Sequence, residues 1–223
     1  MEKAYFAPSM MCADLIQLPK QLNILNKRAD FYHVDIMDGH YVKNITLSPM
    51  YIRQISPMAT LPIDAHLMVE NPADYLDVLA ESGAEYISPH AETINRNAFR
   101  IIDKIRDLGC KVGVVLNPAT PLSFISAYLG LLDKLTIMTV DAGFSGQRFI
   151  PQTAEKIAEA KQLKEERGYH YLIEADGSCS GRTFPVLKAV GCEVFVVGNS
   201  GLFSLDEDLE RAFDRMERIF EES

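Results

Sequence analysis

Basic charge is scarce in this sequence. Its 22 lysines and arginines are outnumbered by 31 aspartates and glutamates, for a formal net charge of −9. That balance gives no support for nucleic acid or an anionic membrane as a partner. An anionic metabolite can still be bound, through backbone amides rather than net charge. Cysteine is also sparse. Cys12, Cys110, Cys179 and Cys192 form no CxxC pair, and a chain of 223 residues needs no disulfide framework. They read as reduced thiols of a cytoplasmic protein. No apolar run reaches the length of a membrane span. The opening "MEKAYFAPSMMCADL" lacks the basic-then-apolar layout of a secretory signal. Linkers, charge blocks and low-complexity segments are missing, as is any nicotinamide, flavin or pyridoxal motif.

What the chain does have is alternation. With 48% hydrophobic and 24% charged residues it has the composition of a globular protein. Short runs rich in β-branched and aromatic residues are followed by longer amphipathic ones. The strand-like runs cover 4–11, 31–37, 62–69, 86–90, 111–117, 134–140, 171–176 and 193–198. Helical patterns between them include 72–83, 97–109 and 151–168. Several have proline near the start and glycine just past the end, the usual helix punctuation. Eight β/α units predict a single α/β domain over 1–223, a (β/α)8 TIM barrel. The rival is a doubly wound open sheet, but the first strand lacks the GxGxxG turn of its dinucleotide-binding version.

A barrel places its chemistry at the C-terminal ends of the strands. In "FYHVDIMDG" (31–39), His33, Asp35 and Met37 fall on alternate positions and share one face. His66 lies toward the end of the third strand and Asp176 closes the seventh. Barrel closure brings these ends to one rim. Two imidazoles and two carboxylates then form a ligand set suited to a divalent transition metal. Any one of them alone reads better as a core histidine or a turn aspartate; the constellation carries the expectation. His40 and His170 get no such role, His90 at most an outer one, and Cys179 reads as a small buried residue.

Three glycine-rich loops follow strands six, seven and eight: "DAGFSGQ" (141–147), "DGSCSG" (176–181) and "GNSG" (198–201). Loops after strands seven and eight are the habitual phosphate site of this fold. No cluster of lysine or arginine stands near them, which fits recognition by backbone amides. Met10, Met37, Met68 and Met138 come from strands one, two, three and six and are expected to line an apolar cap over a reactive carbon. A metal polarises a carbonyl. Two carboxylates act as acid and base on opposite faces of one carbon. That chemistry is epimerisation beside a ketone.

The stretches "HVDIMDGHYVKNITLSP", "DAHLMV", "GVVLNPATP", "MTVDAGFSGQRFIP" and "DGS" followed by "VGNSGLF" resemble the ribulose-phosphate 3-epimerase family nearly end to end. The resemblance implies the ribulose-phosphate-binding type of TIM barrel, in the cytoplasm, with a phosphorylated ketose as substrate and a homo-oligomer as the expected assembly. It implies His33, Asp35, His66 and Asp176 as ligands of one divalent ion, zinc before cobalt, manganese, iron or magnesium. Asp35 and Asp176 would also be the acid/base pair, working through an enediolate. Ser9 and His66 would contact substrate. Met37, Met68 and Met138 would cover the enediolate. Gly143, Phe144, Ser145, Gly146, Gly177, Ser178, Gly198, Asn199 and Ser200 would hold the phosphate.

Within the family, "MTVD", "FSGQ", "IEADGSC" and "GNSGLF" look more like members that convert D-allulose 6-phosphate to D-fructose 6-phosphate. The pentose enzymes usually show Asn for Asp141, glycine for Ser178, and Gly-Ser-Ala in place of Asn199, Ser200 and Gly201. Ala142 stands where relatives generally have proline. The alternatives are ribulose-5-phosphate 3-epimerase itself and a non-catalytic phosphosugar-binding barrel. A phosphosugar decarboxylase would need a lysine where "DIMD" has Ile36 and Met37.

Overall fold

The computed structural model describes residues 3–223. Eight strands alternate with helices: β1 (Tyr5–Pro8), β2 (Tyr32–Met37), β3 (Ile63–Met68), β4 (Tyr86–Pro89), β5 (Lys111–Leu116), β6 (Lys134–Met138), β7 (Leu172–Asp176) and β8 (Val194–Val197). Every named pairing is parallel, in the order β1-β8-β7-β6-β5-β4-β3-β2. A bridge between Ser9 and His33 joins the two ends and makes the sheet a barrel.

The helices are α1 (Leu18–Arg28), α2 (Pro49–Ile55), α3 (Leu76–Ser82), the short α4 (Ala91–Ile94), α5 (Ala98–Asp107), α6 (Gln152–Arg167), α7 (Phe184–Ala189) and α8 (Leu209–Glu221). Gly83 and Gly168 end α3 and α6 with φ of 101° and 66°, a left-handed turn that costs glycine nothing sterically.

Strand periodicity sorts the side chains. Val34 and Ile36 of β2, Ala65 and Leu67 of β3, and Leu135 and Ile137 of β6 face outward into the main hydrophobic core. Helix residues such as Ile101, Ile102 and Ile105 of α5 complete that layer. Inside the barrel, Phe31, Tyr86 and Val194 form a separate apolar plug with Tyr5 and Leu172. Above the plug the interior is polar. Among the described residues, no helix is long and apolar enough to cross a membrane.

Three expectations need correction. The first strand was expected over 4–11 but ends at Pro8, and Met10–Cys12 form a 3-10 turn. The strand alternation breaks there, so Met10 joins the outer core beside Leu22 and Leu25 instead of the mouth. Met11 lines the cavity in its place. Only seven of the eight units carry an α-helix on the way to the next strand or the chain end; β5 reaches β6 through two 3-10 turns, Leu122–Ile125 and Leu129–Leu131. Pro118, Pro121 and Gly130 punctuate that segment too closely for an α-helix to propagate.

Candidate active site

Register fixes the site. In the β2–β3 pairing, His33 stands beside Asp64, Asp35 beside His66 and Met37 beside Met68. In the β6–β7 pairing, Met138 stands beside Asp176. β2 and β7 are separated by β1 and β8, so Asp35 and Asp176 enter the mouth from different sides. His33 Nε2 and His66 Nδ1 are 3.2 Å apart. Asp35 Oδ1 lies 3.4 Å from the former and 3.3 Å from the latter. Asp176 Oδ2 lies 3.5 and 3.3 Å from the same two nitrogens. The Ser9 hydroxyl donates to Asp35 Oδ2 at 2.6 Å, leaving Oδ1 toward the imidazoles.

The charges in this cluster are strongly coupled. Burial works against protonating the rings, yet Asp35 and Asp176 outweigh it and raise His33 well above the usual imidazole range. Asp176 and Asp35 raise His66 likewise. Burial would also raise the two carboxyls, but His33 and His66 hold both below the usual carboxylate range. The cluster therefore favours positive charge at its centre. Its four donor atoms all lie within 4.8 Å of one another. Five of the six separations are 3.2–3.5 Å. Each triangle that His33 and His66 make with one aspartate has edges in that range, so an ion just off its plane lies about 2.0–2.1 Å from all three corners, the length of zinc bonds to nitrogen and oxygen. The donor set fits a divalent metal in both chemistry and size.

Over this floor opens a cavity of about 150 Å³. Ser9, Asp35, Met37, Met68, Met138 and Asp176 line its lower part. Gly143 to Gly146, Gly177, Ser178 and Gly198 to Ser200 also line it, so all three glycine loops reach one space. Gly143 and Gly177 have φ of 114° and 115°. A Cβ on Gly177 would meet Val140 at 2.5 Å. The loop after β6 is tied down by Gln147 Nε2, which donates to the carbonyls of Asp141 and Phe144, and by Asn44 Nδ2, which donates to that of Gly143. Ala142 packs against Val115, Met138 and Val140. His33 and His66 lie fully buried under the floor. His40 is in an exposed loop and His170 precedes β7, at the opposite end of the barrel. Cys179 is buried, with its thiol donating to the Ala175 carbonyl.

Sequence reasoning missed a second polar layer. Lys134 is fully buried. Its ammonium donates to Asp64 Oδ2, and to Glu174 Oε1 at 2.9 Å. Ser88 donates to Asp64, and Thr136 to Glu174, at 2.6 and 2.7 Å. His33 Nδ1 lies 3.0 Å from Asp64 Oδ2. The signal was present: Asp64 and Glu174 stand two residues before His66 and Asp176, on the same strand faces. His90, given at most an outer role from the sequence, stands with its Nε2 3.0 Å from His66 Nε2.

Two carboxylates beside two imidazoles at the C-terminal mouth of a (β/α)8 barrel are a group suited to acid–base chemistry. The comparisons with known proteins give the family. The sequence profile of the ribulose-phosphate 3 epimerase family matches residues 5–203. The ribulose-phosphate 3-epimerase of Bacillus subtilis is 40% identical over 196 residues, 87% of this chain and 90% of that one. The enzyme of the same name from Escherichia coli K12 is 36% identical over 218 residues, 97% and 96% of the two chains. This chain belongs to the ribulose-phosphate 3-epimerase family. Among solved structures, KGPDC from Streptococcus mutans superposes with a TM-score of 0.74 over 98% of both chains, at 12% identity. That likeness speaks for the barrel alone.

Proposed function

We propose that this chain is a metal-dependent 3-epimerase of a phosphorylated ketose. The observation that carries the reading is the pair Asp35 and Asp176, opposed across the floor of a cavity walled by three glycine loops. His33 and His66 hold both carboxyls below the usual carboxylate range, which suits either one to act as the base. One carboxylate takes the proton from C3 of the ketose, and the electron pair moves toward the C2 carbonyl oxygen. The other carboxyl, which takes up a proton from solvent before the step, gives it to the opposite face of C3 and so inverts it, and the proton taken from the first face leaves to solvent. Ser9 aims Asp35 through its hydrogen bond. Met37, Met68 and Met138 keep water from the planar carbon. Amides of the glycine loops receive the phosphate. His33, Asp35, His66 and Asp176 would hold the metal, zinc before cobalt, manganese, iron or magnesium. When bound, it supplies Lewis-acid stabilisation of the charge that develops on the ketose oxygen.

D-ribulose 5-phosphate is the substrate favoured by the relatives, which are named ribulose-phosphate 3-epimerase. One observation favours the longer D-allulose 6-phosphate. Ser178 keeps φ of 55°, the only positive value at a non-glycine position among the described residues, and lines the cavity beside Asp141 and Asn199. A side chain held in a strained backbone against the ligand space is a candidate reader of sugar length. The deciding measurement is kcat/KM for both ketoses on zinc-loaded protein. Turnover in heavy water should place deuterium at C3 of the product epimer. Epimerisation without solvent deuterium would exclude proton transfer through the two carboxyls.

A further inference from the structure

Ser178 keeps a left-handed backbone, φ of 55°, directly after Gly177 with φ of 115°. Glycine adopts such a conformation freely, whereas a serine is strained in it. The peptide between the two residues can relieve that strain by turning over. Half a turn of its plane carries φ of Ser178 into the ordinary extended region and costs Gly177 little. Something must hold the plane as it stands.

The holder sits on the neighbouring strand. Thr139 directly follows β6 and is fully buried. Its amide donates to the Asp176 carbonyl at 2.7 Å. Its hydroxyl donates to the Gly177 carbonyl, with the Asp176 carbonyl farther off at 3.1 Å. Among the described residues no other group donates to the Gly177 carbonyl. Thr139 shares its side of the chain with Leu135 and Ile137, which face the outer core. Met138 and Val140, on either side of it, line the cavity, and Thr139 does not. The Gly177 carbonyl is thus drawn outward. The Gly177–Ser178 peptide is trans, so its N–H points opposite to its carbonyl, toward the cavity that both residues line. That N–H has no acceptor among the described residues. We propose that Thr139 is a positioning residue of the phosphate cradle: its hydroxyl holds the Gly177–Ser178 peptide with the Ser178 N–H toward the bound phosphate. The proposal rests on the phosphate reading above. Turned over, the same peptide would present a carbonyl oxygen to the anion, a repelling group in place of a donor.

Thr139→Val keeps the shape of the side chain and removes the hydroxyl; Thr139→Ser keeps the hydroxyl. Thr139→Val should raise KM for D-ribulose 5-phosphate roughly ten- to a hundred-fold, the worth of one hydrogen bond to a charged group. The change in kcat should be the smaller one, since a phosphate remote from C3 is held alike in the ground and transition states. Thr139→Ser should restore KM to near the wild-type value. Adding Ser178→Gly to Thr139→Val should recover part of the loss, because glycine removes the strain that drives the peptide over. A packing defect at position 139 would be indifferent to that glycine. The direct readout is a crystal structure of Thr139→Val, in which the Gly177 carbonyl should face the cavity. An unturned peptide, or no rescue by Thr139→Ser, overturns the proposal. Titration with inorganic phosphate separates it from the reading beneath it. The Ser178 amide resonance should shift with phosphate in the wild type and lose that response in Thr139→Val. If the wild-type resonance does not respond, the phosphate reading fails, and the crystal structure alone decides whether Thr139 holds the peptide.

Discussion

Asp35 and Asp176 at the barrel mouth face two imidazoles; one layer below, Asp64 and Glu174 face the ammonium of Lys134. The two layers carry the same acidic complement and share His33, whose Nε2 belongs to the upper and Nδ1 to the lower. Burial does not distinguish them strongly, since Asp35 is 4% and Asp64 0% exposed. What differs is the cation. The lower layer holds its own on a lysine side chain, and Ser88 and Thr136 donate further hydrogen bonds to Asp64 and Glu174. No lysine or arginine reaches the upper layer through an ion pair among the described residues. Buried acids with a resident cation are structure. Buried acids with imidazoles, an open cavity and no resident cation are equipped to bind one and to move protons.

Breaking the upper layer should cost rate. Asp35→Asn and Asp176→Asn keep an oxygen for the metal but lose the base, so each should lower kcat about a hundred- to ten-thousand-fold. Melting temperatures should change little by comparison. Each variant should still exchange the C3 proton of one epimer in heavy water, the two variants choosing opposite epimers. Wild-type epimerisation by either variant, with its metal content confirmed, would leave the two-carboxylate mechanism without support.

Breaking the lower layer should cost stability instead. Lys134→Met leaves Asp64 and Glu174 buried without their counter-charge, a loss of about 3–5 kcal/mol for a fully buried pair. Chemical denaturation reads it directly. The variant should also become sensitive to acid. Burial would raise Asp64, but Lys134 and His33 hold it below the usual carboxylate range in the folded protein. The stability linked to its ionisation is complete above the unfolded value of about 3.9 and is lost as pH falls through the lower folded one. Without Lys134 the folded value rises, and acid unfolding should begin at higher pH. A stable, acid-resistant Lys134→Met would erase the contrast between the layers.

Much of this was legible in the sequence because both periodicities are strong. Alternation in "FYHVDIM" and "IDAHLMV" set His33, Asp35 and His66 on inward faces, and the fold class brought those strand ends together. Local reading failed where the chain leaves its period. Met10 sits past Pro8, on a turn that rotates it out of the mouth. The β5–β6 connection lacks the length of unpunctuated sequence that a helix needs. Lys134 opens its strand after "LLD" and reads like an exposed end residue. Its burial follows from register with β5 and β7, a long-range fact.

The smallest expected effect lies in the loop directly after Asp176, where the upper layer meets the sugar. Ser178 holds φ of 55°, a left-handed conformation that disfavours a side chain by roughly 1–2 kcal/mol. Ser178→Gly removes that strain and returns part of the gain as unfolded-chain entropy, about 0.4–1 kcal/mol. The net should be a stabilisation of roughly 1 kcal/mol or less, a rise of about 2–4 °C at most in a chain of this size. The hydroxyl is expected to act on specificity. If it reads sugar length, Ser178→Gly should shift the kcat/KM ratio toward D-ribulose 5-phosphate by several-fold, about the 1 kcal/mol of one hydrogen bond. Stabilisation without a shift in the ratio would mark the serine as a tolerated turn residue and leave the pentulose reading unopposed. A shift with no stabilisation would mean that contacts of the side chain offset the backbone strain, and would place Ser178 with the groups that recognise the substrate.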